Sequence, residues 1–273
     1  MPYTVIFFHA HPDDEALLTS GTMAKLAAQG HRVVLVVATA GEAGWSSEEF
    51  RADGLLGDRR LDELRRSADA LGVSRLEVLG YADSGLSSPT APPPPGRLPR
   101  LVDAAIDDAA GRLARILVAE NASVLTSYDA NGGYGHPDHL AVHRIGAAAA
   151  RLAGTPVVLE ATVPRDRLLA AARVVNRMLP ATRRVDLTPW SVAYSASSEI
   201  THCIHVRRQA PQRRASMRAH ASQATGSGPR TLGVFTRIPP PLFGWVFGRE
   251  WYRQVGVAVP RRRYDSVFDT LRA

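Results

Sequence analysis

The 273-residue sequence has one cysteine and no long hydrophobic run, and these absences exclude several classes of protein. Because Cys203 stands alone, neither an intrachain disulfide nor a cysteine-based zinc site can form. The longest apolar runs, such as residues 33–38, fall far short of the roughly 20 residues of a membrane-spanning helix. The first residues also lack the pattern of a signal peptide. We therefore expect a cytoplasmic protein without a transmembrane segment, in which histidine and carboxylate hold any metal.

Two groups of enzyme motifs are absent as well. No Gly-x-Ser-x-Gly segment of a serine hydrolase occurs. The glycine-rich nucleotide-binding fingerprints are also missing, and Lys25 is the sole lysine. These absences disfavour serine hydrolysis and nucleotide-dependent chemistry.

The two halves of the chain carry opposite net charge. Residues 1–140 carry 12 Lys/Arg and 19 Asp/Glu, whereas residues 141–273 carry 21 and 7. A basic half of this kind attracts anionic partners. No nucleic-acid-binding motif accompanies the charge, so we expect no specific nucleic-acid partner.

Short apolar runs alternate with helical patterns through the first 163 residues. The strand-like runs are residues 3–8, 32–38, 76–79, 123–126 and 156–161, and the helix-like segments between them are residues 13–29, 57–71, 101–120 and 139–152. Repeated βαβ units predict a Rossmann-like three-layer α/β sandwich with a mostly parallel sheet for residues 1–163. Residues 164–273 are predicted to form a smaller, irregular α+β part that packs on this core and shapes the substrate cleft, giving a single compact unit.

Two segments of the second part leave alternatives open. Residues 165–179 have helical amphipathic spacing, which favours a helix packed on the core, with a mobile lid or a membrane-surface helix as alternatives. The apolar, proline-containing residues 239–247 are predicted to pack in the core, with a substrate rim or a subunit contact as alternatives. A homo-oligomer therefore remains open.

The first cluster with chemical potential is His11-Pro12-Asp13-Asp14-Glu15, directly after the first predicted strand. Ligands of open parallel sheets bind beyond the carboxyl ends of the strands. His11 and Asp14 are three residues apart across a helix start, so their side chains can converge, while Asp13 projects elsewhere. An imidazole and a carboxylate that converge there supply two ligands of a zinc site, although an acidic helix start is also typical of a simple N-cap.

The second cluster, Tyr134-Gly135-His136-Pro137-Asp138-His139, follows the predicted strand 123–126. It opens on the same edge of the sheet as the first cluster. His139 can supply a third metal ligand and leave one coordination position for water, as catalytic zinc sites do. His143, one helical turn further on, is expected to pack or to orient a neighbour.

These two clusters resemble the signature motifs of the PIG-L (LmbE-like) family of zinc-dependent N-deacetylases, which remove acetyl groups from N-acetylglucosaminyl conjugates. The similarity extends to residues 60–64, 83–86 and 217–223, and covers roughly residues 3–225. The segments at 83–86 and 217–223 look most similar to the actinobacterial branch that handles mycothiol, its precursor or its conjugates.

The resemblance implies roles for individual residues. The metal ligands would be His11, Asp14 and His139, binding Zn²⁺, or Fe²⁺ in the cell. Asp13 would be the general base, His136 an electrostatic stabiliser or general acid, and Tyr134 a hydrogen-bond donor to the oxyanion. Asp138 is expected to orient a neighbouring imidazole.

Contacts with the substrate are also implied, and they lie on three loops or helices of the predicted core. Arg60 resembles an arginine that reaches a polar or anionic substrate group, and Asp83 a carboxylate that accepts hydrogen bonds from sugar hydroxyls. Glu42 and Trp45, in the loop after the second strand, are expected to line the cleft, as loops at this edge of a sheet commonly do.

The sequence thus predicts a zinc-dependent hydrolase that removes an N-acetyl or other N-acyl group from a glucosamine-containing small molecule. Two alternatives within the same chemistry are a mycothiol S-conjugate amidase and a deacylase that tailors a natural product. An alternative from another class is a metal-free binding module whose basic half docks on an anionic surface.

Overall fold

The computed structural model describes residues 2–44, 55–86, 96–224 and 231–271, which share one eight-stranded sheet. Its strands are β1 (Thr4–His9), β2 (Arg32–Thr39), β3 (Arg75–Ala82), β4 (Leu98–Arg100), β5 (Val124–Tyr128), β6 (Val157–Thr162), β7 (His202–His205) and β8 (Arg249–Gln254). They lie in the order β4-β3-β2-β1-β5-β6-β8-β7. The first six are parallel, and β8 and β7 are antiparallel additions at one edge. The predicted α/β class with a mostly parallel sheet is confirmed.

Helices cover both faces of the sheet, so the central strands β1, β2, β5 and β6 are buried along almost their whole length. They are α1 (Asp14–Leu18), α2 (Ser20–Ala28), α3 (Leu56–Leu71), α4 (Ile106–Ala119), α5 (Pro137–Ala153), α6 (Arg165–Met178), α7 (Ala210–Ala219), α8 (Ala221–Ala224), α9 (Thr231–Thr236) and α10 (Pro240–Val246). Helices α4 and α5 pack on one face, and α2 and α3 on the other. Within the described ranges, no helix combines the length and apolarity that crossing a bilayer requires.

Strand β1 shows why this sequence forms a central parallel strand. Its run of β-branched and aromatic residues places Ile6 and Phe8 in the core cluster under α4 and α5, and Val5 and Phe7 in the cluster under α2 and α3. All four are fully buried, as a strand covered on both faces requires. Because β1 pairs directly with β5, the segments that follow these two strands emerge side by side.

The single helix predicted over residues 13–29 is wrong, because the chain breaks it at Thr19 into α1 and α2. The start of α2 is satisfied by Glu250 of β8, whose carboxylate accepts the backbone N–H groups of Gly21 and Thr22 at 2.8 and 2.7 Å. The capping group lies 229 residues away from Gly21 in the sequence, so no local pattern announces it.

The second part of the chain is more regular than the sequence suggested. Residues 164–271 contribute β7, β8 and five helices within the described ranges, and the two strands extend the sheet of the core. The boundary at residue 163 stays a prediction.

The two apolar segments of this part differ in burial. Helix α6 forms as predicted, but none of its residues is buried, and Val174 and Met178 are 62% and 82% exposed. The prediction that α6 packs on the core is therefore wrong. In the 239–247 segment, Phe243 is buried with Ala16 and Phe247 packs against the same cluster, while Trp245 is 75% exposed.

Replacing Glu250 with alanine is expected to destabilise the fold by about 3–5 kcal/mol, because the change leaves a buried charge without its partner. Arg213 Nη1 donates to Glu250 at 2.8 Å, and both side chains are nearly inaccessible. Urea denaturation would measure the loss. Asp62→Ala is the control, because Asp62 pairs with Arg65 on the surface and its loss should be small. Similar small losses for both variants would contradict the structural role of Glu250.

Candidate active site

The two clusters predicted from the sequence meet at the carboxyl edge of the sheet. His11 and Asp14 follow β1, and His139 lies in the first turn of α5, the helix that follows β5. Asp14 Oδ2 lies 3.3 Å from His11 Nδ1, and Asp14 Oδ1 lies 3.3 Å from His139 Nε2. All three residues are at least nine-tenths buried. One carboxylate therefore joins two imidazoles that are 128 positions apart in the chain.

Hydrogen bonds fix which ring nitrogens of these histidines are free to bind a cation. His139 Nδ1 lies 3.2 Å from the Gly132 carbonyl and must donate to it, which leaves a lone pair on Nε2. His11 Nε2 lies 3.1 Å from Asp138 Oδ2 and donates to it, which leaves the lone pair of Nδ1 facing Asp14. Second partners of this kind orient metal-bound imidazoles in proteins.

An orphaned buried atom supports the fit to a metal. Within the described part of the chain, His139 Nε2 is buried and makes no hydrogen bond. A buried nitrogen lone pair without a partner is costly, and a cation at this point would satisfy it. Two imidazole nitrogens and a carboxylate oxygen form a donor set that suits a divalent transition metal.

The ionisation of these groups follows from their contact. Burial lowers the pKa of His11, but the carboxylates of Asp83, Asp138 and Asp14 outweigh burial and raise it well above its usual value. Burial raises the pKa of Asp14, yet the adjacent His139 and His11 hold it well below its usual value. Without a metal the cluster therefore holds protons, and a cation would replace them.

Other side chains lie close enough to join a metal. Ligand atoms of His11, His136 and His139 lie within 4.8 Å of one another, and so do those of His11, Asp83 and Asp138. The choice of three ligands among these residues stays a prediction.

Asp13 lies beside the cluster in a rare backbone conformation. Its φ of 109° is unusual for a residue other than glycine. Arg60 Nη2 donates to Asp13 Oδ1 at 3.1 Å, and the Asp13 side chain keeps 21% of its surface exposed. Burial raises the Asp13 pKa to about 6, with Arg60 opposing and Asp14 adding to the shift. A cation bound next to it would lower this pKa, because positive charge favours the carboxylate.

His136 and Tyr134 offer hydrogen-bond donors next to His139. His136 Nδ1 accepts the Asp138 N–H at 3.1 Å, so in the neutral ring Nε2 carries the proton. Burial, followed by the charges of His11 and His139, lowers the His136 pKa to about 4. This favours a neutral hydrogen-bond donor over a cationic imidazole. Burial and the nearby Asp14 and Asp13 raise the pKa of half-exposed Tyr134, which keeps its hydroxyl proton.

Arg60 is buried rather than open to the cleft. It is 3% exposed, and it donates to the carbonyl oxygens of Pro12 and Gly41 as well as to Asp13. Its guanidinium thus ties the loops after β1 and β2 together beside Asp13. Direct contact of Arg60 with a substrate stays a prediction.

Asp83 and Glu42 also hold loops at this edge. Asp83 Oδ1 accepts the Gly85 N–H at 2.8 Å and lies 3.4 Å from His11 Nε2. Burial raises the pKa of Asp83, but His11 and the Gly85 N–H outweigh it and lower the pKa. Glu42 Oε1 accepts the Asp83 N–H at 3.1 Å. Contact of Asp83 or Glu42 with a sugar stays a prediction, and Trp45 lies outside the described residues.

Tyr128, which the sequence did not single out, stacks against the ring of His139. The two rings stack with centroids 4.1 Å apart and planes 3° from parallel. The Tyr128 hydroxyl accepts the Ala10 N–H at 3.1 Å, so it links β5 to the segment after β1. Its position just beyond the predicted strand end was the available signal.

The turn before α5 depends on Asp129, which was also missed. Asp129 Oδ1 accepts the Gly133 N–H at 3.0 Å, and Oδ2 accepts the hydroxyls of Thr162 and Ser195 at 2.5 and 3.0 Å. Gly132 and Gly133 have φ values of 61° and 62°, which glycine adopts without strain. This turn supplies the Gly132 carbonyl that orients His139.

Converging imidazole and carboxylate groups at the edge of a parallel α/β sheet, flanked by a second carboxylate and two donors, are the arrangement of a metal-dependent hydrolase. The chain belongs to the PIG-L family, whose profile, described as GlcNAc-PI de-N-acetylase, matches residues 6–150.

Relatives resemble the protein over most of its length. It is 31% identical to the 1D-myo-inositol 2-acetamido-2-deoxy-alpha-D-glucopyranoside deacetylase of Thermomonospora curvata, covering 98% of this chain and 96% of that protein. Its fold is similar to that of the zinc-inhibited form of teicoplanin deacetylase Orf2, with 15% identity and a TM-score of 0.57. The match covers 92% of this chain and 98% of that one. The protein is similarly close to the 4-carboxy-2-hydroxymuconate hydratase GalB of Pseudomonas putida, with 16% identity, a TM-score of 0.57 and coverage of 96% and 100%. The fold therefore serves more than one reaction, and function must be argued from the site.

Proposed function

We propose that this protein hydrolyses the N-acetyl group of an N-acetylglucosaminyl-inositol, the substrate class named for its relative from Thermomonospora curvata. The observation that carries the proposal is the convergence of His11, Asp14 and His139 next to Asp13. These four residues are the ones on which metal-assisted amide hydrolysis depends: three donors for a cation and a carboxylate to move a proton.

The proposed metal is Zn²⁺, with Fe²⁺ as the alternative in the cell. His11 through Nδ1, His139 through Nε2 and Asp14 through its carboxylate would hold it. When bound, such a metal lowers the pKa of water and polarises the amide carbonyl. The mixed nitrogen and oxygen donors suit zinc, and three protein ligands are typical of its catalytic sites.

In the proposed reaction, Asp13 accepts a proton from the attacking water and later gives it to the departing amine. The attack breaks the carbonyl double bond and places negative charge on its oxygen. His136 Nε2–H and the Tyr134 hydroxyl donate hydrogen bonds to that oxygen, which is the largest contribution in many acyl-transfer enzymes. Collapse breaks the C–N bond and releases acetate and the free amino sugar. Asp138 orients the His11 ring, because its carboxylate accepts a hydrogen bond from His11 Nε2.

Arg60 supports the proposed base through its hydrogen bond to Asp13. Two of its other donated bonds hold the backbone on either side of the cleft, at Pro12 and Gly41. Asp83 and Glu42 are proposed to contact the sugar.

A cytoplasmic location and a homo-oligomer also stay predictions.

We expect the purified protein to release acetate and a primary amine in equal amounts from N-acetylglucosaminyl-inositol. A primary-amine assay across that compound, mycothiol conjugates, N-acetylglucosamine oligomers and acylated glycopeptides would measure this. Metal-stripped protein is the control and should be inactive. Faster cleavage of the conjugates would identify an amidase, and faster cleavage of glycopeptides a tailoring deacylase. The same metal and base serve all of these substrates.

A further inference from the structure

The rare backbone conformation of Asp13 needs support from its surroundings. A residue other than glycine with φ near 109° persists only where neighbouring groups hold it. The Asp13 N–H donates to Glu15 Oε2 at 3.0 Å, so the Glu15 carboxylate holds this amide in place. Glu15 is fully buried. It is therefore available to hold Asp13 but not to touch a substrate.

Glu15 is fixed in turn by two residues from outside its own segment. Ser67 of α3 donates its hydroxyl to Glu15 Oε1 at 2.6 Å, and His220 Nε2 lies 2.6 Å from the same oxygen. His220 is fully buried and stands between α7 and α8. Burial lowers the His220 pKa, but the Glu15 carboxylate outweighs it and raises the pKa above its usual value. A buried carboxylate with these partners has one orientation available.

The neighbouring Ser222 provides a comparison within the same segment. Its N–H and hydroxyl donate to the two oxygens of Glu63 on α3, at 2.7 and 2.6 Å. This pair anchors residues 220–224 on α3 without a contact to Glu15. His220 and Ser222 thus attach the segment to the core through different carboxylates, and the one bound by His220 also holds the Asp13 amide.

We propose that His220 is a positioning residue for Asp13, acting through Glu15. The inference rests on the proposed role of Asp13 as the base. Because Glu15 Oε2 receives the Asp13 amide while Oε1 receives His220, a shift of His220 changes the angle at which the Asp13 carboxylate faces the attacking water. Small misplacements of a catalytic group have large effects on turnover. The second part of the chain thereby takes part in catalysis without entering the cleft.

The test compares His220→Ala, His220→Gln and Ser222→Ala. We expect His220→Ala to lower kcat about 10- to 100-fold, the usual cost of losing an orienting partner, while KM and metal content change less than about twofold. His220→Gln retains an N–H donor and should recover most of that loss. Ser222→Ala removes the buried hydrogen bond from the Ser222 hydroxyl to Glu63 and keeps the one from the backbone N–H. It should lower thermal stability but leave kcat within about twofold of the wild type.

A second readout does not depend on turnover. Hydrogen exchange of the Asp13 amide should become more than about tenfold faster in His220→Ala and stay unchanged in Ser222→Ala. Equal losses of kcat in both variants, or unchanged exchange in His220→Ala, would overturn the positioning role. If the wild type releases no acetate, the proposed function fails, and the exchange rates still decide whether His220 holds Asp13.

Discussion

Replacing His11 with alanine is expected to remove the bound metal and with it the hydrolytic activity. The wild type should purify with about one divalent metal per chain, because His11 and His139 both lie against the Asp14 carboxylate and the three groups form one donor set. Loss of His11 removes a ligand and also the proton that Asp138 accepts. Since losing only an orienting partner costs 10- to 100-fold in affinity, losing a ligand should cost more than about 100-fold. Elemental analysis and calorimetric zinc titration would measure both effects.

His143→Ala is the matched control for this experiment. His143 lies one helical turn beyond His139 on α5, but its Nδ1 lies 3.1 Å from the Tyr128 carbonyl and 3.4 Å from Glu160 Oε1, away from the ligands. It should keep the metal. A folded wild type without metal would favour a binding module for an anionic surface. A His11→Ala protein that keeps full occupancy would place the metal among other residues of the cluster.

The strand-to-helix junctions were predictable because each depends on local sequence. The β-branched and aromatic run before His9 is typical of a buried strand, and the helix predicted from residue 139 begins two residues earlier, at Pro137. Parallel strands share one carboxyl edge, so topology alone indicates that the two clusters meet there. Distances within the cluster then follow from only a few residues on either side.

What the sequence could not reveal depends on side chains that act across long separations. Glu250 caps α2 from β8, and its partner Arg213 comes from α7. Arg60 was assigned to the substrate from its resemblance to a family arginine, whereas in the structure it donates to backbone carbonyls of neighbouring loops. Nothing in the residues around Glu15 indicates that its partner is His220. Such pairings are decided by packing and not by local pattern.

The site concentrates unfavourable features around the proposed base. Asp13 has a strained backbone, and both its burial and the like charge on Asp14 disfavour its ionised form in the metal-free protein. Proteins retain such features where function requires them. Arg60 and Glu15 are the contacts that offset them, one on the side chain and one on the amide.

Replacing Asp13 with asparagine is therefore expected to lower kcat about 1,000-fold while the protein keeps its metal. The amide has the same shape and can still accept the hydrogen bond from Arg60 through its oxygen, but it cannot take a proton from water. KM should stay within a few-fold of the wild type. In metal-free protein the change should raise stability near neutral pH, because the raised Asp13 pKa means that folding disfavours the carboxylate. Single-turnover kinetics, elemental analysis and urea denaturation would measure these three effects.

Asp69→Asn is the control for the same chemical change at a site outside the cleft, on α3, and it should alter neither turnover nor metal content. Near-normal turnover in Asp13→Asn would assign the base to another residue. Loss of metal together with turnover would instead make Asp13 part of the ligand set. Only retained metal with lost turnover separates proton transfer from metal binding, because the two functions lie on adjacent residues, Asp13 and Asp14.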